Sequence, residues 1–202
     1  MIVSEVISVN KQKCKVFLEE GFAFVLYKSE AAHYELEPGA WISEEAYCQL
    51  EENLLLPRAK NKALDFLGFQ GRTRQQMRKK LEMEGYPDRI VNRVMGFLEE
   101  YRFVDDLAYA RNYINLNGGK KSRRQLTQEL CLKGVSGEEI ARAFEEGTVD
   151  DASSARLLLE KRLKGRRVLS YEERCRHGAY LARKGYSYEV IDRVMRQVLS
   201  EE

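Results

Sequence analysis

Three of the leucines that are followed four positions later by a glycine recur along this chain at nearly constant spacing. This repeat constrains the fold more than any other feature of the sequence. The glycines are Gly85, Gly134 and Gly185, separated by 49 and 51 residues. Each follows a stretch of helical apolar periodicity, where a glycine supplies the left-handed residue that ends many helices, and each precedes an apolar residue. The spacing predicts tandem units that bury their apolar faces against their neighbours.

The starts of the same helices also recur. A hydroxyl residue, followed three positions later by glutamine or glutamate, stands upstream of each leucine, at Thr73/Gln76, Ser122/Gln125 and Ser170/Glu173. In such a capping box the two side chains accept hydrogen bonds from backbone N–H groups at the helix N-terminus. The pattern therefore predicts one helix with a defined start and end in each unit.

Two further helices complete each unit. One opens after each turn glycine and has apolar residues along one face. The other precedes the capping box: it covers Arg58 to Phe69 in the first unit and begins at the acidic pairs 105–106 and 150–151 in the others, where a carboxylate caps the helix. We therefore predict a mainly α fold in which 58–202 form three tandem three-helix repeats, about 58–101, 105–146 and 150–200, stacked as an elongated curved array.

Residues 1–57 differ from the rest of the chain. Apolar residues alternate with polar ones from Ile2 to Val9, and two more short apolar runs, at 15–18 and 22–27, flank a glycine-containing turn. This pattern predicts a small antiparallel sheet in the N-terminal segment. Ser43 is suited to cap a helix that runs towards Leu54, and we expect Pro57 to interrupt that helix.

The formal net charge of +2 hides a segregation of charge along the chain. Residues 1–57 carry 4 basic and 10 acidic residues, a charge of −6, whereas residues 58–202 carry 30 and 22, a charge of +8. Three basic windows, 70–80, 118–126 and 161–167, contain no acidic residue. Each lies at or just before the capped helix of its repeat, so stacking predicts a basic stripe on one side. Cations near a helix N-terminus oppose the macrodipole, which indicates that stability alone does not select them.

The candidate interaction surface consists of basic residues from these windows: Arg72, Arg74, Arg78, Lys79, Lys80, Lys120, Lys121, Arg123, Arg124, Lys164, Arg166 and Arg167. The arginines suit bidentate pairing with carboxylate or phosphate groups. A solvated helix face is the alternative for any single window. Three windows at equivalent places favour a surface that binds an acidic or polyanionic partner.

The sequence contains no arrangement typical of catalysis or of metal binding. His33 and His177 lie far from any cysteine or acidic cluster at metal-ligand spacing, and the four cysteines form no Cys-x-x-Cys pair. We therefore expect no enzyme activity, no catalytic residue and neither metal nor cofactor. We expect the cysteines to be buried small side chains. The chain shows no signal peptide or membrane span, so we expect a cytoplasmic monomer without a membrane partner.

Residues in the first two repeats are similar to those of a known family. The stretches Arg72 to Leu81 with Gly85, Phe103 to Ile114 and Gln128 to Val135 have the order and spacing of the bacterial RecX regulatory proteins, which the chain resembles over nearly its whole length. The resemblance implies a non-enzymatic array of three three-helix repeats that binds the RecA recombinase filament along its helical groove. Such proteins commonly suppress ATP hydrolysis and strand exchange, and some members contact DNA. Gln70 and Ser122 depart from the family, which often has arginine and glycine there.

Two functions therefore stay open at this point. The first is a regulator that docks in the groove of the RecA filament through the basic residues and inhibits its ATPase and strand exchange in recombination and DNA repair. The second is a helical-repeat protein that binds single- or double-stranded DNA without a recombinase. A nuclease or other hydrolase is disfavoured, because the carboxylate and histidine constellations are missing.

Overall fold

A computed structural model describes residues 1–19, 21–68, 70–147 and 149–199 of the chain. The fold is mainly helical, with a three-stranded antiparallel sheet near the N-terminus, as predicted. The chain divides into two compact units, Met1–Val104 and Asp105–Glu202. The first contains the sheet and the first repeat, and the second contains the other two repeats.

The sheet of the first unit is a meander of three strands in the order β1-β2-β3: β1 Val3–Ser8, β2 Lys13–Leu18 and β3 Gly21–Tyr27. Val16 pairs with Val6 on one side and with Phe24 on the other. Val16 and Phe24 are fully buried, because alternate residues of these strands face the helices. The predicted alternation from Ile2 to Val9 does not mark this face, because Ile7 and Val9 are exposed.

The helices of the first unit are α1 Lys28–His33, α2 Glu44–Leu50, α3 Leu56–Leu67, α4 Arg74–Met83 and α5 Asp88–Glu100, with a π-helical turn, Glu51–Leu55, between α2 and α3. The first of them was not predicted. Ser43 caps α2 as expected, since its side chain accepts a hydrogen bond from the Ala46 N–H. The predicted α3 extended to Phe69, which lies outside the described residues.

The prediction that Pro57 interrupts the helix is wrong. Helical backbone continues from α2 through the π-helical turn into α3, and Pro57 stands in the first turn of α3. The Leu56 N–H donates to the Glu51 carbonyl, the longer reach of a π-helical turn. This wider turn just before Pro57 accommodates the proline ring, so the helical backbone continues through it.

One apolar core joins the sheet to the first repeat. It includes buried residues from β1, from α2 and from all three helices of the repeat, α3, α4 and α5. The turn after α4 touches β3 directly: the Val25 N–H donates to the Gly85 carbonyl at 3.2 Å. A Cβ at Gly85 would lie 3.0 Å from the Val25 Cβ. The N-terminal segment therefore packs as part of the first repeat rather than as a separate body.

The second unit consists of α6 Asp106–Asn117, α7 Arg123–Leu132, α8 Gly137–Glu145, α9 Asp151–Leu163, α10 Tyr171–Arg183 and α11 Tyr188–Leu199. Helices α6 to α8 enclose one apolar core and helices α9 to α11 enclose another. With α3 to α5, the described residues therefore contain the nine predicted repeat helices.

The predicted helix ends are confirmed. Gly85, Gly134 and Gly185 all have positive φ, from 84° to 90°. In each turn the N–H of the next residue donates to the carbonyl of the leucine that starts the pattern, at 3.1 to 3.3 Å, as in a Schellman motif. These bonds satisfy carbonyls that the helix itself leaves free.

The predicted helix starts are confirmed with one difference. Thr73 and Ser170 form complete capping boxes. Ser122 caps α7, but the Gln125 side chain donates to Glu129 instead of closing the box. The burial predicted for the cysteines is confirmed for Cys14 alone among the four: Cys48 is half-buried, and Cys131 on α7 and Cys175 on α10 are exposed.

Candidate interaction surface

The first basic window lies on the loop before α4 and on α4 itself, and several of its cations have partners within the first unit. The Arg74 Nε lies 3.0 Å from a Glu99 carboxylate oxygen. Arg78 donates to the Asn92 side-chain oxygen at 2.7 Å. Among the described residues, the exposed Lys79 pairs with no carboxylate. Most of the first window therefore serves contacts within its own repeat.

Two more cations of the first window also have neighbours. The Arg72 guanidinium lies 4.3 Å from the centre of the Phe66 ring, within the range of a cation–π contact. Lys80 Nζ lies 2.7 Å from the Glu84 carboxylate. Its hydrogen bond, with the charge of Lys62 nearby, holds the pKa of Glu84 below its usual range.

Lys121 of the second window is part of a polar network. Its Nζ donates to Glu129 at 2.6 Å and to the Tyr113 hydroxyl at 3.3 Å, and that hydroxyl donates to the same Glu129 oxygen at 2.6 Å. Burial alone would lower the pKa of Lys121, but these hydrogen bonds outweigh it and raise the pKa. The network joins α6 to α7, so Lys121 positions these helices.

The other cations of the second window are exposed. The Arg123 guanidinium lies 4.5 Å from the centre of the Phe144 ring, and its backbone N–H donates to Asp151 at 2.8 Å. Among the residues described, Lys120 and Arg124 pair with no carboxylate. Arg123 and Arg124 occupy the first turn of α7, where cations oppose the helix macrodipole.

The start of α7 packs against the third repeat. The Ser122 hydroxyl donates to the Lys184 carbonyl at 2.7 Å, and a Cβ at Gly185 would lie 2.8 Å from that hydroxyl oxygen and 3.4 Å from the Arg124 Cβ. The second window therefore meets the beginning of α9 and the end of α10.

The third window lies at the opposite end of α9. Arg166 pairs with Glu173 at 2.8 Å, and Arg167 donates to the Val198 carbonyl at 2.8 Å. Lys164, at the C-terminal end of α9, is exposed and has a left-handed backbone conformation. A helix of 13 residues is about 20 Å long, so the second and third windows lie at the two ends of that length. A single stripe through all three windows stays a prediction.

The sequence analysis missed one arginine that stands at an equivalent position of the third repeat. Arg74 and Arg123 each stand eleven positions before the turn glycine of their repeats, and Arg174 stands at that distance before Gly185. The third window was chosen as a run without acidic residues, and Arg174 lies outside it because Glu172 and Glu173 stand just before it. Counting back from the glycine would have found Arg174.

The acidic pairs act as helix caps. Asp105 accepts from the Ala108 N–H at 2.8 Å, and Asp150 accepts from the Ala152 N–H at 2.9 Å and from the Ser153 hydroxyl at 2.6 Å.

In the part of the chain that the structure describes, no three acidic, histidine or cysteine side chains are grouped as metal ligands would be. No described helix has the length and apolarity required for a transmembrane span.

Known proteins share this arrangement. Family models described as the first, second and third three-helix domains of RecX match residues 59–98, 105–143 and 150–195. The regulatory protein RecX of Clostridioides difficile is 27% identical over 198 residues, which cover 95% of this chain and 92% of the relative. The regulatory protein RecX of Vibrio vulnificus is 31% identical over 144 residues, 71% of this chain and 92% of the relative.

Solved structures agree in fold. A crystal structure of regulatory protein RecX aligns with a TM-score of 0.63 at 23% identity, covering 100% of this chain and 99% of that one. RecX from Lactobacillus salivarius aligns with the same TM-score over 71% of this chain and 96% of its own. The three family domains follow one another in the expected order, and close to the whole length of both relatives is matched. The chain therefore belongs to the RecX family of regulatory proteins.

Proposed function

We propose that this protein binds the RecA recombinase filament in its helical groove and inhibits its ATPase and strand exchange. Membership of a family of regulatory proteins supports the proposal. The observation that carries it is the first turn of α7, where the exposed Arg123 and Arg124 stand although cations are unfavourable there. The Arg123 guanidinium lies over the Phe144 ring, but neither it nor that of Arg124 pairs with a carboxylate of the described chain. Both can therefore pair with acidic recombinase side chains or with the phosphates of the filament's DNA.

The basic residues contribute to this surface in two ways. Those that are exposed and pair with no carboxylate of the described chain make direct contacts: Lys79, Lys120, Arg123, Arg124 and Lys164. The others hold the helices that present them: Arg72, Arg74, Arg78, Lys80, Lys121, Arg166 and Arg167. Exposed ion pairs contribute about 0.2–1 kcal/mol each, so several must act together.

Regulation in this proposal needs contact alone and no chemical step. A monomer that spans adjacent recombinase protomers changes how they move relative to one another and thereby their ATPase rate. The segment 1–57 supports the first of the three repeats in 58–202 through their common core. Because the proposed partner is a recombinase filament on DNA, the proposal includes a cytoplasmic location.

The test is a titration of the protein into RecA filaments on single-stranded DNA, with ATP hydrolysis and strand exchange as readouts. We expect both rates to fall as the protein approaches a fixed ratio to recombinase. Unchanged rates above that ratio would refute the proposal. The double variant Arg123→Glu/Arg124→Glu should require a higher concentration for the same effect.

The dependence of affinity on salt distinguishes direct DNA binding from binding to the RecA filament. A protein that acts on single-stranded DNA alone loses affinity with a log–log slope of about −0.7 per phosphate contacted. Negligible DNA affinity at physiological salt, with recombinase inhibition retained, favours the filament as the partner. Equal affinity for bare DNA and for the filament favours the DNA-binding alternative.

A further inference from the structure

The three repeats permit an internal comparison of one surface, the face between the second and third helices of each repeat. Arg74, Arg123 and Arg174 occupy the same position on the second helix. The third helices of the first and third repeats begin at Asp88 and Tyr188, three residues after their turn glycines. Residues of these two repeats that are 100 positions apart are therefore structural equivalents.

In the first two repeats, contacts within the chain engage this arginine. Arg74 pairs with Glu99 at 3.0 Å, and Arg78 donates to Asn92 at 2.7 Å, so two polar bridges join α4 to α5. The Arg123 guanidinium of the second repeat lies 4.5 Å from the centre of an aromatic ring on α8. The arginine at this position has an intramolecular partner in both repeats.

The third repeat lacks both bridges. Gly178 and Leu199 stand at the positions equivalent to Arg78 and Glu99. The exposed Arg174 pairs with no carboxylate between residues 149 and 199 or elsewhere in the described chain. Helices α10 and α11 instead border a groove of about 580 Å³.

The surface of this groove is mainly apolar. It is lined by residues that include Arg174, Gly178, Tyr188, Ile191, Met195 and Leu199. Tyr188 is 85% exposed, and tyrosine and arginine are the residue types that most often dominate protein interfaces. Asp192 and Arg196 also border the groove and pair with each other, which leaves Arg174 as the rim charge available to a partner carboxylate.

We propose that this groove docks a segment of a RecA protomer that carries one bulky apolar side chain with a carboxylate beside it. The apolar side chain enters the groove, and the carboxylate pairs with Arg174 as Glu99 pairs with Arg74 in the first repeat. The inference rests on the proposed function. It identifies the third repeat as a specific contact in addition to the basic residues. Burying one such side chain is worth on the order of 10- to 100-fold in affinity.

The test variant is Gly178→Arg, which introduces the arginine that the first repeat has at the equivalent position, Arg78. A Cβ at this position would lie 3.7 Å from the Ile191 Cγ2, an ordinary contact, and a helix interior favours arginine over glycine. The new guanidinium would reach Asp192 as Arg78 reaches Asn92 and would fill the groove. The matched control is Gly96→Arg on α5, where a Cβ would have no neighbour within 4 Å.

Affinity for RecA filaments on single-stranded DNA is measured for the wild type and for both variants. We expect about a tenfold or greater loss for Gly178→Arg and less than about threefold change for Gly96→Arg, although both add the same charge. The affinity of Arg174→Glu should also fall about tenfold. Because Arg174 is exposed, this variant provides the test if Gly178→Arg does not fold.

Each outcome separates the two proposals. Wild-type affinity in both Gly178→Arg and Arg174→Glu would overturn the groove proposal and leave the proposed function intact. Failure of the wild-type protein to bind the filament would refute the proposed function itself. An equal loss for Gly96→Arg would show that added charge, rather than the groove, explains the effect.

Discussion

Substitution of Gly85 by alanine tests the contact that joins the N-terminal sheet to the first repeat. Gly85 has a φ of 84°, a conformation that costs an L-residue roughly 1–2 kcal/mol. An added Cβ would also overlap the Val25 side chain, whose Cβ lies 3.0 Å away. Overpacking of this kind typically costs about 1–3 kcal/mol. We therefore expect Gly85→Ala to lower the free energy of unfolding by about 2–5 kcal/mol.

The matched control is Gly39→Ala in the same unit. Gly39 has a φ of 90°, but a Cβ there would meet nothing within 4 Å, so only the backbone cost of roughly 1–2 kcal/mol applies. Urea unfolding is followed by far-UV circular dichroism and by the fluorescence of Trp41, the single tryptophan of the chain, which lies in this unit. The difference between the two alanine variants isolates the contact with Val25.

A double-mutant cycle completes this test. Val25→Ala keeps the Val25 Cβ but removes the Cγ2 methyl group that the new Cβ would overlap, so it should recover about 1–2 kcal/mol in the Gly85→Ala background. Equal losses for Gly85→Ala and Gly39→Ala would refute the reasoning. So would a cycle with no coupling between positions 25 and 85.

Charge reversal in the first turn of α7, Arg123→Glu with Arg124→Glu, should weaken filament binding roughly tenfold or more and leave the circular dichroism spectrum unchanged, because glutamate is favourable at a helix N-terminus. Unfolding of this variant would show that the arginines are structural. The Glu84 carboxyl has a folded-state pKa below 4.5, so its contribution to stability is complete above that pH and is lost as the pH falls through the lowered pKa. Lys80→Met should reduce this acid-dependent loss in urea midpoints, and an unchanged loss would contradict the pairing. Deletion of 1–57 should melt the first repeat, and a truncated chain that retains its cooperative thermal transition would contradict the common core.

Helix ends were predictable because their interactions are local. A cap such as Thr73 bonds a backbone N–H three residues away, and a turn such as Leu81–Gly85 closes within six residues. A glycine or hydroxyl residue at the right position therefore reports the structure by itself. The failure at Pro57 has a local cause too, because a π-helical turn just before it accommodates the ring.

Pairing of the basic residues was not predictable from the windows. Lys79 and Lys80 are neighbours in the sequence, yet only Lys80 lies on the side of α4 that faces the carboxylate of Glu84. Arg74 finds its partner 25 positions away, on the next helix. An acid-free window of sequence can therefore still be neutralised by distant carboxylates once the chain folds.

The sequence by itself determined the number of repeats, the start and end of their helices and the segregation of basic residues into three windows, since these depend on propensity, capping and composition. Only the tertiary structure decided which cations stay available to a partner, that the sheet shares a core with the first repeat, and that the third repeat has an open groove beside Arg174. Those features depend on which side chains meet across helices that are far apart in the chain. For that reason Arg74 pairs with a carboxylate, whereas Arg174, at the equivalent position of the third repeat, pairs with none in the described chain.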